Sequence, residues 1–346
     1  MQPTSLNSWL LYCRPGFEAD CTQETQAKLV EAAANSGFAM VQGKPRLMFS
    51  QLVFARQLIR LFGEINELPE RDRITPLLAA LPAEPLQFSE IWLEVPDTNE
   101  GKTLSGFTRR LQPLLKAALT KAGRMGKLQS GEDAGPRLHV FFPSKDRVLI
   151  GSSDPGNSAA WPMGILRQKM PFDAPSRSYL KLAEAFETFL GKEEQKSWLK
   201  SGMHAVDLGA APGGWTWQLV QRGLKVIAVD NGPLKGAAAQ HSAIKHLRQD
   251  GFRYRPRQPV DWVVCDMVEQ PQRVAALMAE WVASGLAARA IFNLKLPMKK
   301  RLEALNSALD GVRAVLDKKG VRYRLQARHL YHDREEVTVF LARVIK

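Results

Sequence analysis

Apolar positions along the chain follow two regimes that meet near residue 156. From residue 203 onward, short β-branched runs alternate with amphipathic stretches. MHAVDLG, KVIAVDNG, VDWVVCDMV and RAIFNLKL read as strands, while GGWTWQLVQRG, PQRVAALMAEWVASGLA and a span from about Lys299 to Lys318 carry the helical period. Strand and helix in alternation imply right-handed crossovers and a largely parallel, doubly wound sheet, hence an α/β fold. The last run, EEVTVFLARV, is strand-like and can pair with the preceding YRLQARHLY as a hairpin.

Upstream the elements are smaller. SWLLYCR reads as a strand, DCTQETQAKLVEAAANSG as a helix, RLMFSQLVFARQLIRLF as strand-rich and SEIWLEVPD as a strand. FTRRLQPLLKAALTKAG follows as a helix, and PRLHVFFPSKDRVLIGSS as a hairpin. This economy suits small α+β modules better than a second nucleotide-binding sheet. Between the halves, residues 155–176 (PGNSAAWPMGILRQKMPFDAPS) hold four prolines and no sustained period, so the domain linker is expected there.

With 346 residues and 45% hydrophobic content, two or three domains with full cores are expected. No run approaches the roughly 18 uncharged apolar residues of a membrane span, and MQPTSLNSWLLYCRPGF lacks a basic leader, so a cytoplasmic protein without membrane contact is expected. Cys13, Cys21 and Cys265 form no C-x-x-C pair and have no His at metal spacing, which predicts buried thiols and no structural metal. Charge divides unevenly: residues 1–175 carry 20 basic and 18 acidic side chains, and residues 176–346 carry 28 and 17, or +2 against +11. Such an excess attracts a polyanion through its long-range field and counterion release, and nucleic acid is the commonest one.

The most informative segment runs from Val206 to Thr216 (VDLGAAPGGWT), where an apolar strand enters a small-residue turn and then a helix. Gly209, Gly213 and Gly214 let backbone approach a ligand, Ala211 and Pro212 complete the turn, and the helix start offers free N–H donors. A dinucleotide oxidoreductase would carry G-x-G-x-x-G, which is absent, and Asp207 before the first glycine would repel a pyrophosphate. A zwitterionic amino-acid moiety suits this loop better. Asp230 ends the next strand, where a carboxylate can accept both ribose hydroxyls of a nucleoside, and Asp250 in the following loop can accept from an adenine amino group.

Taken together, VDLGAAPGGWTWQLV, VVCDM, IFNLKLPMKKR and HDREEVTV resemble the RrmJ/FtsJ-like ribose 2′-O-methyltransferases, and most closely the M-type group that acts on a cytidine of bacterial 23S ribosomal RNA. RPGFE, RDRITPLLAAL, VPDTNE and APSRSYLKLAEAF extend the likeness over most of the chain. The resemblance implies S-adenosyl-L-methionine as cofactor and a Rossmann-like methyltransferase domain over 176–346. Ahead of it would stand a ferredoxin-like region over 1–68, a THUMP-like RNA-binding module over 69–155 and a linker over 156–175. A monomer acting on naked 23S ribosomal RNA or an early assembly particle is expected.

By the same resemblance a Lys-Asp-Lys-Glu catalytic tetrad falls on Lys181, Asp266, Lys295 and one of Glu335 and Glu336. Glu336 is favoured because it directly precedes the apolar run from Val337, and successive strand side chains face opposite ways. Ser178 and Asp266 are expected against the cofactor. A ribose hydroxyl must lose its proton as it attacks a sulfonium methyl, so the reaction needs a base and in-line alignment, and Lys295 is the candidate base. An ordinary lysine is protonated at neutral pH. Desolvation and a neighbouring Lys181 would help it give up that proton, whereas Asp266 and the glutamate would favour the ammonium, so a base and a purely orienting tetrad both stand.

Rival readings remain. A base methyltransferase would want a D/N-P-P-aromatic loop or a cysteine nucleophile, but Asp266-Met267-Val268-Glu269 supplies neither and Cys265 sits in an apolar run. A non-catalytic RNA scaffold would bind RNA but not the cofactor. For RNA contacts the candidates are Lys299, Lys300 and Arg301, the alternating Arg253, Arg255 and Arg257 with rings Phe252 and Tyr254 free to stack, and Arg109, Arg110, Lys116 and Lys121 upstream.

Overall fold

The computed structural model describes residues 7–84, 86–126 and 135–344, and residues 1–6, where the segment read for a leader begins, lie outside them. The chain divides into two units, one through Leu166 and the other from Arg167. Among the described residues no helix is long and apolar enough to cross a membrane.

The first unit runs β1 Ser8–Tyr12, α1 Glu18–Thr25, β2 Lys28–Glu31, β3 Phe38–Gln42, β4 Gln57–Ile65, α2 Ile74–Ala79, β5 Glu90–Glu94, α3 Asn99–Thr103, α4 Ser105–Lys121, β6 Arg137–Phe141 and β7 Val148–Ser153. Its seven strands form one sheet in the order β2-β3-β1-β4-β7-β6-β5, so the segments 1–68 and 69–155 share it through the antiparallel β4–β7 pair. The stretch from Asp20 read as a single helix stops early. Gln26 takes a left-handed φ of 55° and its amide returns to the Gln23 carbonyl, while Lys28–Glu31 pair with β3. Sheet pairing overrides the helix propensity of the alanines beyond.

The proline-rich stretch is held down over its first half. The Ala159 amide donates to Gln57 Oε1 at 3.0 Å and the Met163 amide to the buried Glu94 at 2.5 Å, and Ala159, Met163 and Ile165 are buried. Glu94 also accepts from Tyr12 Oη and contacts His139 Nδ1, each at 2.7 Å, so a carboxylate deep in the unit is satisfied on both oxygens. All three cysteines are buried free thiols.

The second unit runs α5 Ser178–Phe189, α6 Lys192–Trp198, β8 His204–Leu208, α7 Gly214–Gln221, β9 Lys225–Val229, β10 Ile244–Leu247, β11 Val260–Cys265, α8 Pro271–Ala283, β12 Ala287–Lys295, α9 Arg301–Lys318, β13 Tyr323–Arg328 and β14 Glu336–Arg343. The sheet order is β10-β9-β8-β11-β12-β14-β13. The five strands from β10 to β12 are parallel, and β14 returns antiparallel to β12 with β13 as its hairpin partner. That is the largely parallel, doubly wound sheet expected from the alternating pattern, and the Rossmann-like architecture that the family resemblance implies. One face buries Ala205, Val226, Trp262, Val264 and Phe340 under side chains of α5 and α7. The opposite face carries α8, whose Val274, Leu277, Met278, Trp281 and Val282 repeat at helical spacing and are buried, with α9 packed against it.

Candidate active site

Parallel strands bring their carboxyl ends to one edge, and the chemistry-bearing residues stand there. β8 delivers Asp207 and then Gly209, which needs its φ of 78° and approaches Met267 so closely that a Cβ would lie 2.6 Å from the Met267 Cγ. Gly213 (φ 112°) turns the chain into α7, and a Cβ on Gly214 would collide with the hydroxyls of Ser176 and Ser178. Those two hydroxyls are hydrogen-bonded to each other at 2.7 Å. Asp207 is buried and accepts from Thr216 Oγ1 at 2.6 Å. Burial pushes its carboxyl up to about 7, Thr216 opposes that, and the neighbouring Asp266 and Asp230 add to it.

The tetrad assembles from four elements. Asp266 follows the last residue of β11, Lys295 ends β12, Glu336 opens β14 and Lys181 lies one turn into α5. Lys295 Nζ contacts Asp266 Oδ1 at 2.5 Å and Glu336 Oε1 at 4.0 Å, while Lys181 Nζ is ion-paired with Glu336 and lies 3.8 Å from Asp266 Oδ2. Burial alone would lower Lys181, but Asp266 and Glu336 outweigh it and the group is raised, so it is an ammonium at neutral pH. Lys295 and Glu336 are direct cross-strand partners, which puts both side chains on one face. Glu335 points the other way and pairs with Arg301 at 2.9 Å. Strand alternation thus selects Glu336 from the two adjacent glutamates.

Asp266 is held from behind. Asn293, fully buried and two residues before Lys295 on the same face of β12, donates to Asp266 Oδ1 at 2.9 Å. Thr338 Oγ1 lies 2.8 Å from Asn293 Oδ1 and 2.9 Å from Asp333 Oδ2. The Asp333 carboxyl sits well above the usual carboxylate range, chiefly through burial, with Lys181 opposing. Sequence reasoning missed this support, although an asparagine inside the apolar run IFNLKL was a visible signal.

A cavity of about 410 Å³ opens beside Lys181 and Asp266 and is lined also by Ser178, Gly209, Ala211 and Pro212, whereas Lys295 and Glu336 are not in its lining. Arg177, Trp215, His332 and Arg334, which sequence reasoning had not singled out, also form its wall, with Ser176 and Ala210. Asp230 and Asp250 do not line it. Asp230 accepts the Ala211 amide at 3.0 Å and the Gly232 amide at 2.7 Å, so one task it performs is fixing the turn. Asp250 accepts the Phe252 amide at 2.8 Å in an exposed loop.

Two expectations need correction, one for RNA contacts and one for where α9 begins. Phe252 and Tyr254 are not free for stacking: Arg273 lies over the Phe252 ring at 4.7 Å, and Tyr254 packs on Trp281 with centroids 6.4 Å apart. Of the basic trio after Lys295, only Arg301 is within α9, where it is engaged with Glu335, and Lys300 precedes the helix with a left-handed φ of 57°. Cys265 is fully buried, and burial pushes its thiol up to about 12, which removes it as a nucleophile. Among the described residues no group of three or more His, Cys, Asp or Glu could hold a metal ion.

Three family descriptions match along the chain. They are an RlmM ferredoxin-like domain over residues 6–45, a ribosomal RNA large subunit methyltransferase M N-terminal region over 72–154 and an FtsJ-like methyltransferase over 174–320. A curated relative named ribosomal RNA large subunit methyltransferase M from Laribacter hongkongensis is 55% identical over 97% of this chain and 96% of its own. One of the same name from Thauera aminoaromatica is 48% identical over 95% and 94%. Among solved structures, TrmN from Thermus thermophilus is similar at 15% identity and a TM-score of 0.34 over 97% of this chain and 100% of its own, too distant to bear on function. Identity near one half across almost the whole of both curated relatives leaves one assignment: the chain belongs to the ribosomal RNA large subunit methyltransferase M family.

Proposed function

We propose that the protein transfers a methyl group from S-adenosyl-L-methionine to the ribose 2′-hydroxyl of a cytidine in 23S ribosomal RNA. What carries the reading is the meeting of Lys181, Asp266, Lys295 and Glu336, linked by contacts of 4.0 Å or less, beside the glycine turn. The residues around the turn suit the donor. Trp215, in the cavity wall, has its Nε1–H buried without an acceptor among the described residues, a donor that an acceptor group of a bound ligand would satisfy. Gly209, Ala211, Pro212, Gly213 and Gly214 with Ser178 and Asp266 would hold the amino-acid end, and Asp230 and Asp250 the nucleoside end. When bound, the donor supplies an electrophilic methyl on a positively charged sulfur.

The chain's own groups supply alignment and proton transfer. Lys295, as its free amine, would bind the 2′-hydroxyl and accept its proton on Nζ, Asp266 would fix the Lys295 side chain, and Glu336 would hold Lys181 as a neighbouring cation. The 2.5 Å contact between Lys295 and Asp266 favours a second reading, in which the four groups only orient the hydroxyl. The test is Lys295→Ala. Transfer to RNA is lost while the donor binds within a few-fold of the parent, and equal loss of both would contradict a catalytic role.

The remaining assignments follow this reading. The N-terminal unit is taken as a ferredoxin-like part over 1–68 and a THUMP-like RNA-binding part over 69–155, supported by the limits of the matched descriptions at 45 and 72. The protein acts as a cytoplasmic monomer on naked RNA or an early assembly particle, as suits an enzyme of ribosomal RNA.

A further inference from the structure

The crossover from β10 to β11 carries no helix. Residues 248–259 run instead as a turn and an irregular strip, and they leave a groove on the sheet face that α8 covers elsewhere. Strand registry puts Lys245 beside Ile227 on one face of the sheet, and Leu247, two residues on, shares that face. All three line a cavity of about 840 Å³, together with Arg253, Arg255 and Arg257. Four of its lining residues are lysine or arginine, and none is aspartate or glutamate.

The groove starts at Gln249 and Arg253, beside the carboxyl end of β10, and reaches His204 and Val260 at the opposite edge of the sheet. The four residue steps of β8 from His204 to Leu208 span roughly 13 Å, so the far end is well removed from the tetrad. The strip alternates as the sequence suggested. Arg253, Arg255 and Arg257 are exposed, while Phe252 and Tyr254 turn inward. Arg253 lies 3.6 Å from Asp250, and Arg255 donates to the carbonyls of Phe252 and Tyr254. Asp261, the carboxylate at the His204 end, accepts the His204 amide. Among the described residues Arg253 is ion-paired with Asp250, and no ion pair involves Lys245 or Arg257.

We propose that this groove is a second RNA-binding surface of the methyltransferase unit, which takes a single-stranded phosphodiester segment flanking the reacting nucleotide. The charge of the lining argues for a polyanion. A strip without helix or strand, with exposed arginines at alternate positions 253, 255 and 257 and Lys245 beside them, suits a chain of phosphates better than one small anion. Apolar Ile227 and Leu247 beneath the cations give a sugar or base edge something to rest on. The inference rests on the RNA-methyltransferase reading, but it concerns affinity and leaves the reacting groups untouched.

The test uses the full-length protein and naked 23S ribosomal RNA from a strain lacking it. The double variant Lys245→Gln, Arg257→Gln should raise KM for RNA about tenfold at physiological salt. Its kcat at saturating RNA and its affinity for S-adenosyl-L-methionine should stay within twofold. The slope of log K against log salt should become shallower by about 1.4, roughly 0.7 for each cation removed. In the unaltered protein, RNA should shield Lys245 from an amine-reactive label, a readout independent of how the variant folds. Unchanged KM and slope, or equal labelling of Lys245 with and without RNA, would overturn the proposal. So would a defect confined to assembling ribosomal particles, which would make the occupant a protein. If the unaltered enzyme transfers no methyl to RNA, the functional reading itself fails.

Discussion

Asp207 offers a direct check on how burial and charge were arranged around the glycine turn. It is buried against Thr216, and its carboxyl is raised from 3.8 to about 7, first by burial, with Asp266 and Asp230 adding and the hydrogen bonds from Thr216 opposing. Between those two values the folded chain binds more protons than the unfolded one, so stability falls as pH rises, and the loss is complete once pH passes about 7. A shift of this size amounts to about 4 kcal/mol at pH 8 and about 1 kcal/mol at pH 4.5. Asp207→Asn keeps an oxygen for Thr216 and removes the charge. The cofactor-free variant should therefore exceed the parent in stability by a margin that grows by about 3 kcal/mol from pH 4.5 to pH 8. The assay is urea unfolding of the full chain, read as loss of hydrogen-exchange protection in peptides spanning 204–208 and 260–265. With m of about 1–3 kcal/mol/M, the added margin moves the midpoint by at least about 1 M. A stability difference that is the same at both pH values would refute the reasoning.

Three further outcomes follow from the site. Glu336→Gln should cut turnover by about a hundredfold or more, whereas Glu335→Gln, which loses only an exposed pair with Arg301, should stay within a few-fold in the same RNA methylation assay. Asn293→Leu or Thr338→Val strands a buried partner at a cost of about 1–3 kcal/mol and should lower kcat with little change in KM for RNA, as measured by denaturation and steady-state kinetics. Cys265→Ala should retain turnover within several-fold, and thiol reagents should leave the native enzyme active, because the thiol is buried and pushed up to about 12.

Much of the second unit was legible because its signals are local. Apolar runs at strand spacing, a helix whose apolar face repeats from Val274 to Val282 and a glycine turn between a strand and a helix each announce themselves within about a dozen residues. The choice of Glu336 over Glu335 was also available, because alternation along a strand is a property of the sequence. What escaped depends on distant partners. The end of α1 at Thr25 is set by pairing of Lys28–Glu31 with β3, and no local rule announces that. The inward turn of Phe252 and Tyr254 is set by Arg273 and Trp281 on α8. Asn293, Thr338 and Asp333 matter only because β12 and β14 lie side by side, an antiparallel contact between residues 45 apart in the chain.

The site also separates jobs that look alike in sequence. Asp207, Asp230 and Asp266 all follow or end apolar runs, yet one is buried against Thr216, one fixes the turn through the Ala211 and Gly232 amides, and only Asp266 meets the two lysines. Burial, backbone donors and ion pairs assign the three carboxylates to different work, which strand-end position alone does not do.

The central claim is that the groups gathered at the ends of β11, β12 and β14 deliver a methyl group to a sugar oxygen. The most direct measurement starts from RNA of a strain lacking the protein, methylated by the purified enzyme with labelled donor and then hydrolysed in alkali. A 2′-O-methyl group blocks cleavage at its own nucleotide, so the account predicts label in an alkali-stable dinucleotide headed by cytidine. Label recovered on a base, in ordinary mononucleotides, would contradict it.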